Sequence, residues 1–475
     1  MAETQLEIPQ PAIIVIFGIT GDLAQRKLLP ALYHLLKDGL LDERTVIVGI
    51  SRRDVSADQL LEKVELCVNE IDKVCDPEGI RKIRSALRMH HMSLVNDTEY
   101  AELKRQLDAI ETEQGVCMNR LYYLSIPPQM FTPIVRGMGQ NGLNQSCQHG
   151  TAAARLLVEK PFGYDLASAR ELIRETSEWF PEEQLFRIDH YLAKETVQNI
   201  LAFRMYNPIF TSVWNNQHIT AIDITAFEKI DIEGRATFYE EVGALRDFIQ
   251  SHLLQLLAVV AMDLPDSLSS ADVHAQKLRL LEAIEPVSPD QVRSRTIRGQ
   301  YEGYRTEVNN PTTTTETYAA IELRIDNERW QNIPVRLRTG KALSEKRTDV
   351  AIQFRDNDGD GPGMGNRLVF RIQPSEGISL TLLAKKPGYS GALEPVTMDF
   401  DYQYAFDAHG HPDAYARVLV DAARGDHTLF TTSDEVVAAW RVVEHIQQAW
   451  SRDGDGLTPY PKGANAMEPG NPTAD

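Results

Sequence analysis

Apolar runs and helical patterns alternate along the first 190 residues of the chain. Short apolar runs predict buried strands at Ala12–Phe17, Thr45–Ile50, Arg120–Ser125, Ala154–Val158 and Leu185–Ile188. Between them, apolar residues recur at helical spacing over Leu23–Asp38, Asp58–Glu70, Glu99–Thr112 and Leu166–Trp179. This alternation is typical of a parallel sheet covered on both faces. We therefore expect a Rossmann-like, doubly wound α/β domain that binds a dinucleotide at residues 1–189.

The pattern changes after Asp189. Long helical patterns at Ala193–Arg204 and Tyr239–Ala261 precede a series of predicted strands: Glu316–Ile325, Pro334–Thr339, Val350–Arg355, Leu368–Gln373 and Ile378–Ala384. Helical patterns at Asp413–Arg424 and Ser433–Trp450 follow. The connections between these strands are too short for crossover helices. We therefore expect a larger α+β domain at residues 190–475, with a mostly antiparallel sheet.

Charge and composition argue against several classes of function. The 475 residues include 49 basic and 68 acidic side chains, a net charge of −19, which argues against binding nucleic acid or an anionic membrane. There is no run of eighteen apolar residues, and the stretch Met1–Gln10 is polar in character and partly acidic. We therefore expect no membrane span, no signal peptide and a cytoplasmic location. The four cysteines form no C-x-x-C pair and no zinc spacing, so we expect reduced thiols and no metal.

The strongest local signal follows the first predicted strand. Gly18-Ile19-Thr20-Gly21-Asp22-Leu23 joins that strand to a helix, and two glycines three residues apart allow a tight turn beside a pyrophosphate. We take Gly18, Thr20, Gly21, Asp22 and Leu23 as cofactor-binding candidates. The fuller glycine pattern at Gly137, Gly139 and Gly142 follows a helical stretch, so we read it as a helix end and loop.

The residues at the end of the second strand indicate which cofactor is preferred. It ends in Ser51-Arg52-Arg53, where an NAD site usually has an acidic residue for the ribose hydroxyl. Arginine suits a 2′-phosphate, so Arg52 predicts a preference for NADP, and Arg53 is a less certain partner. The alternative interpretation is a solvated basic turn.

Two further segments carry reactive side chains. Lys160 ends a strand in Val158–Gly163, where it either reaches the nicotinamide or substrate or stays solvated, and Lys160–Pro161 is a candidate cis peptide. In the segment from Arg187 to Glu195, helical geometry would point His190 and Lys194 the same way, beside the free N–H groups of a helix start. These groups form a candidate phosphate pocket.

His252 lies on the apolar stripe of the helical pattern Tyr239–Ala261. It is either a core histidine or a base that a carboxylate from elsewhere orients. Asp247 is a poor candidate for that carboxylate, because five residues place it about 140° around an α-helix.

Five motifs, in this order, resemble the glucose-6-phosphate dehydrogenase family: GITGDLAQRKL, VEKPFG, RIDHYLAKE, LRDFIQSHLLQ and RTGKAL. The similarity runs from about Ile13 through Pro461. Ile19 stands where the family usually has a small residue, and Ala193 where it usually has glycine. Neither change removes a functional group.

The resemblance implies an activity and its residues. The expected reaction is NADP-dependent oxidation of glucose 6-phosphate at C1 to 6-phospho-D-glucono-1,5-lactone, the first step of the oxidative pentose phosphate pathway in glucose metabolism. Asp189 and His252 would form the catalytic dyad, with His252 taking the proton of the C1 hydroxyl. The implied substrate-binding residues are Lys160, His190, Tyr191, Lys194, Glu228, Asp247, Lys341, Lys346 and Gln373. Thr20, Asp22, Lys27 and Arg52 would bind the dinucleotide.

The family also implies a homodimer or homotetramer built through the large sheet. Two other functions stay open: a different sugar dehydrogenase of the wider superfamily, and a catalytically silent assembly protein on the same fold. The motifs RIDHYLAKE and RTGKAL argue against the first. The presence of both Asp189 and His252 argues against the second.

Overall fold

The computed structural model describes residues 8–72, 75–146, 152–356, 365–389, 391–406, 413–452 and 456–467. These residues divide into two compact units. Unit 1 lies within Met1–Gly163, Ala167–Ala193 and Pro412–Ser433, and unit 2 within Tyr164–Leu166, Lys194–His411 and Asp434–Asp475.

Unit 1 is built on a seven-stranded sheet with the order β15-β6-β5-β4-β1-β2-β3. Its strands are β1 (Ala12–Phe17), β2 (Val46–Ser51), β3 (Leu87–His91), β4 (Asn119–Leu124), β5 (Ala154–Val158), β6 (Leu185–Ile188) and β15 (Phe430–Thr431). Every pair is parallel except β15 with β6, which confirms the predicted doubly wound α/β fold.

Helices join the strands of unit 1. They are α1 (Leu29–Lys37), α2 (Ala57–Asp72), α3 (Pro77–Ala86), α4 (Asp97–Gln114), α5 (Phe131–Gln140), α6 (Leu166–Ser177) and α15 (Ala414–Arg424), with a π-helical turn at Ala24–Leu28 and short 3₁₀ turns at Pro128–Met130 and Glu182–Gln184. The ends of α4 follow from its sequence, since the Asn96 side chain accepts the Thr98 N–H and Gly115 ends the helix at φ 65°. Gly137 and Gly139 lie inside α5, so the second glycine motif does not follow a strand.

The strands of unit 1 are apolar throughout because both faces of the sheet are covered. Along β1, Ile14 and Ile16 face one hydrophobic core, and Val15 and Phe17 face the other. This arrangement explains why a continuous apolar run predicts the strand better than alternation would.

A late segment of the chain returns to unit 1. We expected one boundary after residue 189, whereas in the structure residues 413–433 pack with the first unit. Phe430 and Thr431 pair with β6, and Arg155 donates hydrogen bonds to the carbonyls of Ala422 and Ala423 at the end of α15. A two-residue edge strand has no periodicity to detect, so the sequence did not indicate this return.

Unit 2 contains a nine-stranded sheet with the order β14-β13-β12-β11-β7-β10-β9-β8-β16. Its strands are β7 (Ile219–Phe227), β8 (Thr296–Tyr301), β9 (Tyr318–Leu323), β10 (Val335–Gly340), β11 (Arg347–Phe354), β12 (Arg367–Gln373), β13 (Gly377–Lys385), β14 (Leu393–Asp401) and β16 (Leu457–Tyr460). Only β7–β10 and β8–β16 are parallel, so the prediction of a mostly antiparallel sheet is confirmed.

The helices of unit 2 are α7 (Glu195–Tyr206), α8 (Pro208–Thr211), α9 (Ala236–Ala244), α10 (Leu254–Ala261), α11 (Ser270–Ala283), α12 (Val292–Arg295), α13 (Tyr304–Glu307), α14 (Tyr402–Ala405) and α16 (Ser433–Arg452). A π-helical segment, Leu245–Leu253, connects α9 to α10. Among the described residues, no helix has both the length and the apolar character needed to cross a membrane.

The cysteines depart from the expectation of reduced thiols. Cys75 is a free thiol, but Cys117 is disulfide-bonded. The side chains of Cys67 and Cys147 lie outside the described part of the structure.

Candidate functional site

The glycine turn after β1 lies at the edge where a Rossmann sheet binds its ligand. The order of β3-β2-β1-β4-β5-β6 places the reversal of strand order between β1 and β4, and the turn follows the carboxyl end of β1. Gly18 has φ +80°, and a Cβ there would lie 2.2 Å from the carbonyl oxygen of Ser125, which follows β4. Only glycine fits this position, and the Gly21 N–H donates to the Gly18 carbonyl at 2.8 Å to close the turn.

The residues after the turn enter a helix. Leu23 precedes the π-helical turn Ala24–Leu28, and the Gln25 side chain donates to the carbonyl of Thr20 at 2.9 Å. Asp22 and Lys27 are solvent-exposed, and Lys27 lies 3.9 Å from Asp413. The structure thus brings Gly18, Thr20, Gly21, Asp22 and Leu23 together in one turn, with Lys27 on the helix that follows.

Arg52 and Arg53 lie exposed after β2. The Ser51 hydroxyl donates to the Arg53 carbonyl at 2.9 Å and accepts the Arg53 N–H at 3.0 Å. The Arg52 carbonyl accepts a hydrogen bond from the His91 ring at 3.2 Å. The backbone of this turn is therefore fixed while both guanidinium groups face solvent.

Lys160 follows the carboxyl end of β5, and its peptide bond to Pro161 is cis, as predicted. The preceding Glu159 accepts a hydrogen bond from the Tyr123 hydroxyl. Burial raises the pKa of Glu159 to about 7, and the charge of Asp189 adds to the rise, while Tyr123 and Lys160 oppose it. A carboxyl group that titrates near neutral pH thus lies beside the candidate lysine.

The segment after β6 is a turn rather than the start of a helix. The buried Asp189 carboxylate accepts the Tyr191 N–H at 2.9 Å, and the Asp189 carbonyl accepts the Leu192 N–H at 3.0 Å. Helix α7 begins only at Glu195, with Lys194 at its N-cap position. The prediction that helical geometry aligns His190 with Lys194 is therefore wrong, because Asp189 stabilises a turn with its own side chain.

Aromatic rings surround His190 in unit 1. Its ring stacks on Tyr415 at 6.2 Å between centroids and 11° between planes, and meets Tyr191 edge-on at 5.0 Å. Tyr191 itself is buried. These contacts hold the imidazole of His190 in one orientation.

In unit 2, Lys341 is the centre of a buried polar group. Its ammonium forms an ion pair with Glu228 and lies 5.3 Å from the centre of the Tyr239 ring. The Glu228 N–H donates to the Gly340 carbonyl at 2.9 Å, which fixes the acid beside the lysine. Asp247 is close enough to Tyr239 that its charge raises the pKa of that hydroxyl, after the larger effect of burial.

The predicted helix Tyr239–Ala261 is interrupted. Gly243 has φ 63° and ψ 177°, a non-helical conformation that kinks the chain near the end of α9, and Leu245–Leu253 then forms a π-helix. Hydrogen bonds in a π-helix join residues five apart, so Asp247 and His252 lie one turn apart along the same side. The expectation of about 140° between them is wrong, because it assumed α-helical geometry.

His252 is almost fully buried, and its ring lies 5.6 Å from that of Phe248. Lys346 is exposed in the segment after β10, and Gln373 ends β12. Among the described residues, no side-chain hydrogen bond or ion pair joins Lys346 or Gln373 to the group around Lys341.

Sequence reasoning missed three residues of these clusters. Tyr239 was included only in a helical pattern and Glu159 only in a motif. Glu316, which contacts the start of the π-helix, was included only as the first residue of a predicted strand. Gly243 inside a helical pattern was the one available signal of a break.

Comparison with known proteins decides the family. The model described as "Glucose-6-phosphate dehydrogenase, NAD binding domain" matches residues 15–199, and the model described as "Glucose-6-phosphate dehydrogenase, C-terminal domain" matches residues 201–471. The chain belongs to the glucose-6-phosphate dehydrogenase family. The resemblance noted from the five motifs is thereby confirmed.

Individual members of the family agree over nearly the whole length. The glucose-6-phosphate 1-dehydrogenase of Chlamydia muridarum is 38% identical over 467 residues, which cover 93% of this chain and 91% of that protein. The Bacillus subtilis enzyme of the same name is 38% identical over 458 residues, covering 93% and 92%. A solved glucose-6-phosphate dehydrogenase in complex with glucose 6-phosphate superposes with a TM-score of 0.90 at 32% identity, covering 98% of this chain and 97% of that one.

Proposed function

We propose that the protein oxidises glucose 6-phosphate at C1 to 6-phospho-D-glucono-1,5-lactone, with NADP as the hydride acceptor. It is thus an oxidoreductase of glucose metabolism that catalyses the first step of the oxidative pentose phosphate pathway. The observation that carries this proposal is the match of both domain models of the glucose-6-phosphate dehydrogenase family along almost the whole chain.

Unit 1 fits a dinucleotide. Gly18 brings the backbone to a point that a Cβ would block, and the turn opens a helix at the reversal of strand order. We assign Gly18, Thr20, Gly21, Asp22, Leu23 and Lys27 to the dinucleotide. Arg52 is exposed at the end of β2, and its planar guanidinium suits the 2′-phosphate of NADP. When bound, the nicotinamide accepts the hydride that leaves C1.

His252 is the general base of the proposed mechanism, and Asp189 orients it. Hydride leaves C1 readily only as the C1 hydroxyl loses its proton, which an imidazole nitrogen of His252 takes. Asp189 is buried and already fixed by the Tyr191 N–H, so its carboxylate is preorganised to stabilise the imidazolium that forms. Lys160, after the strand β5 of unit 1, would contact the sugar near C1.

The phosphate of the substrate requires cations and N–H donors. We assign it to His190, Tyr191 and Lys194, of which Lys194 lies at the N-cap of α7, where the helix dipole favours an anion. Glu228, Asp247 and Lys341 would bind the sugar hydroxyls, with Lys346 and Gln373 as further candidates. The ion pair of Lys341 with Glu228 keeps both charges in place before the substrate arrives.

We further propose a cytoplasmic location and a homodimer or homotetramer formed through the nine-stranded sheet. The strand β14, at one edge of that sheet, exposes Leu393, Val396 and Met398 in the single chain. Exposed apolar side chains on an edge strand suit association with a second copy.

The test is the activity of His252→Asn with glucose 6-phosphate and NADP. Turnover should fall by about 10²–10⁴-fold with little change in substrate binding, the usual scale for loss of a positioned base. Asp189→Asn should lower turnover as well. A loss below about tenfold in His252→Asn would make His252 a core residue and refute the dyad. A substrate panel separates the alternative, since another sugar dehydrogenase would prefer an unphosphorylated or different sugar.

A further inference from the structure

The helical segment from Leu245 to Ala261, which carries Asp247 and His252, is held at its first residue by Glu316. A carboxylate oxygen (Oε1) of Glu316 accepts the Leu245 N–H at 2.9 Å. The backbone carbonyl of the same residue accepts the Ala244 N–H, also at 2.9 Å. One residue outside the helix therefore satisfies two successive N–H groups where the helix begins.

Gly243 makes this contact possible. Its φ of +63° turns the chain out of α9, and a Cβ at this position would lie 2.6 Å from Oε1 of Glu316. The absence of a side chain thus lets the carboxylate approach the backbone at the helix start. The place where the π-helix begins is fixed by this approach.

The opposite end of the segment is held by a cation. Arg204 of α7 donates from Nη1 to the Val259 carbonyl at 2.8 Å and from Nη2 to the Met262 carbonyl at 2.6 Å. A negative group at the N-terminus and a positive group at the C-terminus match the helix dipole. Both ends of the segment are therefore fixed by charged side chains within unit 2.

The segment that precedes β9, which contains Glu316, also holds Lys341. Thr317 follows Glu316, and its carbonyl accepts the Lys341 N–H at 3.0 Å. The Tyr460 hydroxyl contacts the Thr317 hydroxyl and donates to the Lys341 carbonyl, each at 2.8 Å. Two adjacent residues thus set the position of Lys341 and of the helix that carries Asp247 and His252.

Burying the carboxyl group of Glu316 costs stability unless it forms hydrogen bonds such as the one from Leu245. Burial raises the pKa of Glu316, and the hydrogen bond from Leu245 only partly opposes that rise. An apolar residue would fill the space without such a cost but would leave the Leu245 N–H without this acceptor.

We infer that Glu316 is a positioning residue for the reaction: it fixes the start of the helix that presents His252 and Asp247 to the sugar. The inference rests on the roles proposed above for those two residues. Displacing the helix start should impair both proton removal and sugar binding. It should leave dinucleotide binding alone, because none of the proposed dinucleotide residues lies on this helix.

The experiment compares Glu316→Asp, Glu316→Gln and Glu316→Ala. Aspartate keeps the charge but is one methylene shorter, so it must pull the helix start or lose the bond; glutamine keeps both the length and an acceptor oxygen. We expect Glu316→Asp and Glu316→Ala to lower kcat by about 10- to 100-fold, the scale of a displacement near 1 Å, and to raise KM for glucose 6-phosphate. Glu316→Gln should stay within about threefold of the parent for both constants. KM for NADP should be unchanged in all three.

The matched control is Glu240→Gln. Glu240 lies on α9, and its carboxylate accepts hydrogen bonds from Tyr304 and Asn310, whereas the Leu245 N–H donates to Glu316. The substitution Glu240→Gln should leave kcat and the KM values for glucose 6-phosphate and NADP unchanged. A purely structural role for Glu316 would reduce only the active fraction, so kcat would fall with KM for glucose 6-phosphate constant, and that result would overturn the inference. Parent-like kinetics in Glu316→Asp would overturn it too, even if Glu316→Ala does not fold.

His252→Asn, measured together with these variants, distinguishes failure of the proposed base from failure of the positioning role of Glu316. Full activity in His252→Asn would refute the proposed base itself. An inactive His252→Asn with parent-like Glu316→Asp would refute only the positioning role.

Discussion

Replacing Glu159 with glutamine should make the stability of unit 1 less dependent on pH. The pKa of Glu159 rises from an ordinary 4.5 to about 7, first because of burial and then because of Asp189. The folded chain therefore binds this proton more tightly than the unfolded chain does. Stability from this group is fully present below pH 4.5 and is lost as pH rises through about 7.

The size of the effect follows from the shift. The rise from 4.5 to about 7 corresponds to about 3.4 kcal/mol, and the half-buried position of Glu159 makes this an upper bound. Glutamine has no proton to lose and can still accept the hydrogen bond from Tyr123. Glu159→Gln should therefore be more stable than the parent above about pH 7, by about 1–3 kcal/mol.

The assay is urea unfolding of the parent and of Glu159→Gln, without cofactor, from about pH 5 to about pH 8. The free-energy difference between the two proteins should grow in favour of the variant as pH rises. Glu102→Gln, an exposed position on α4, controls for the loss of one negative charge. Parallel pH profiles for the parent and Glu159→Gln would refute the assignment of this titration to Glu159.

Three further variants test other parts of the molecule. Arg52→Ala should weaken NADP by about 1.5–3 kcal/mol and leave NAD nearly unchanged, as measured by KM for each cofactor; equal losses would mean that Arg52 only shapes its turn. Lys194→Ala should raise KM far more for glucose 6-phosphate than for glucose, by about ten- to a hundredfold, and equal losses would remove Lys194 from the phosphate site. Lys277→Met should cost about 3–5 kcal/mol in urea unfolding, because it leaves the buried Glu435, now 2.9 Å from the lysine ammonium, without that cation. The double variant with Glu435→Leu should recover most of the lost stability. If it does not, the loss in Lys277→Met does not come from leaving Glu435 without its cation.

Elements that bury a continuous apolar run were the easiest to predict. The strands Ala12–Phe17, Ala154–Val158 and Leu185–Ile188 have the bounds that the sequence indicated. Such strands need only to be apolar, because helices cover both faces of their sheet. Strand β14 shows the opposite case, since most of its side chains are exposed and its composition resembles that of a loop.

Sequence motifs identified residues of the candidate site, but their local structure was harder to predict. Motifs identified Gly18 and Lys160, and the structure gives physical reasons for the first, since a Cβ there would meet Ser125. The turn after Asp189 was read as a helix because no periodicity distinguishes the two over five residues. Its real determinant is one hydrogen bond from the Tyr191 N–H to Asp189, and a pattern of apolar positions does not contain that information.

Two π-helical segments lie where the chemistry is expected, and the longer one explains why α-helical periodicity misplaced Asp247 relative to His252. One, Ala24–Leu28, follows the glycine turn, and the other, Leu245–Leu253, carries Asp247 and His252. A π-helix is rare because its wider turn weakens packing, and it is often found at functional sites. It persists when neighbouring groups fix its ends, and here Glu316 accepts the first N–H of the longer segment. Arg204 donates to the carbonyls of Val259 and Met262, at the end of the helix α10 that continues it. This geometry brings the acid and the histidine, which are five residues apart, to one side of the helix. The contacts that keep the π-helix in place therefore belong to the proposed site together with the two side chains.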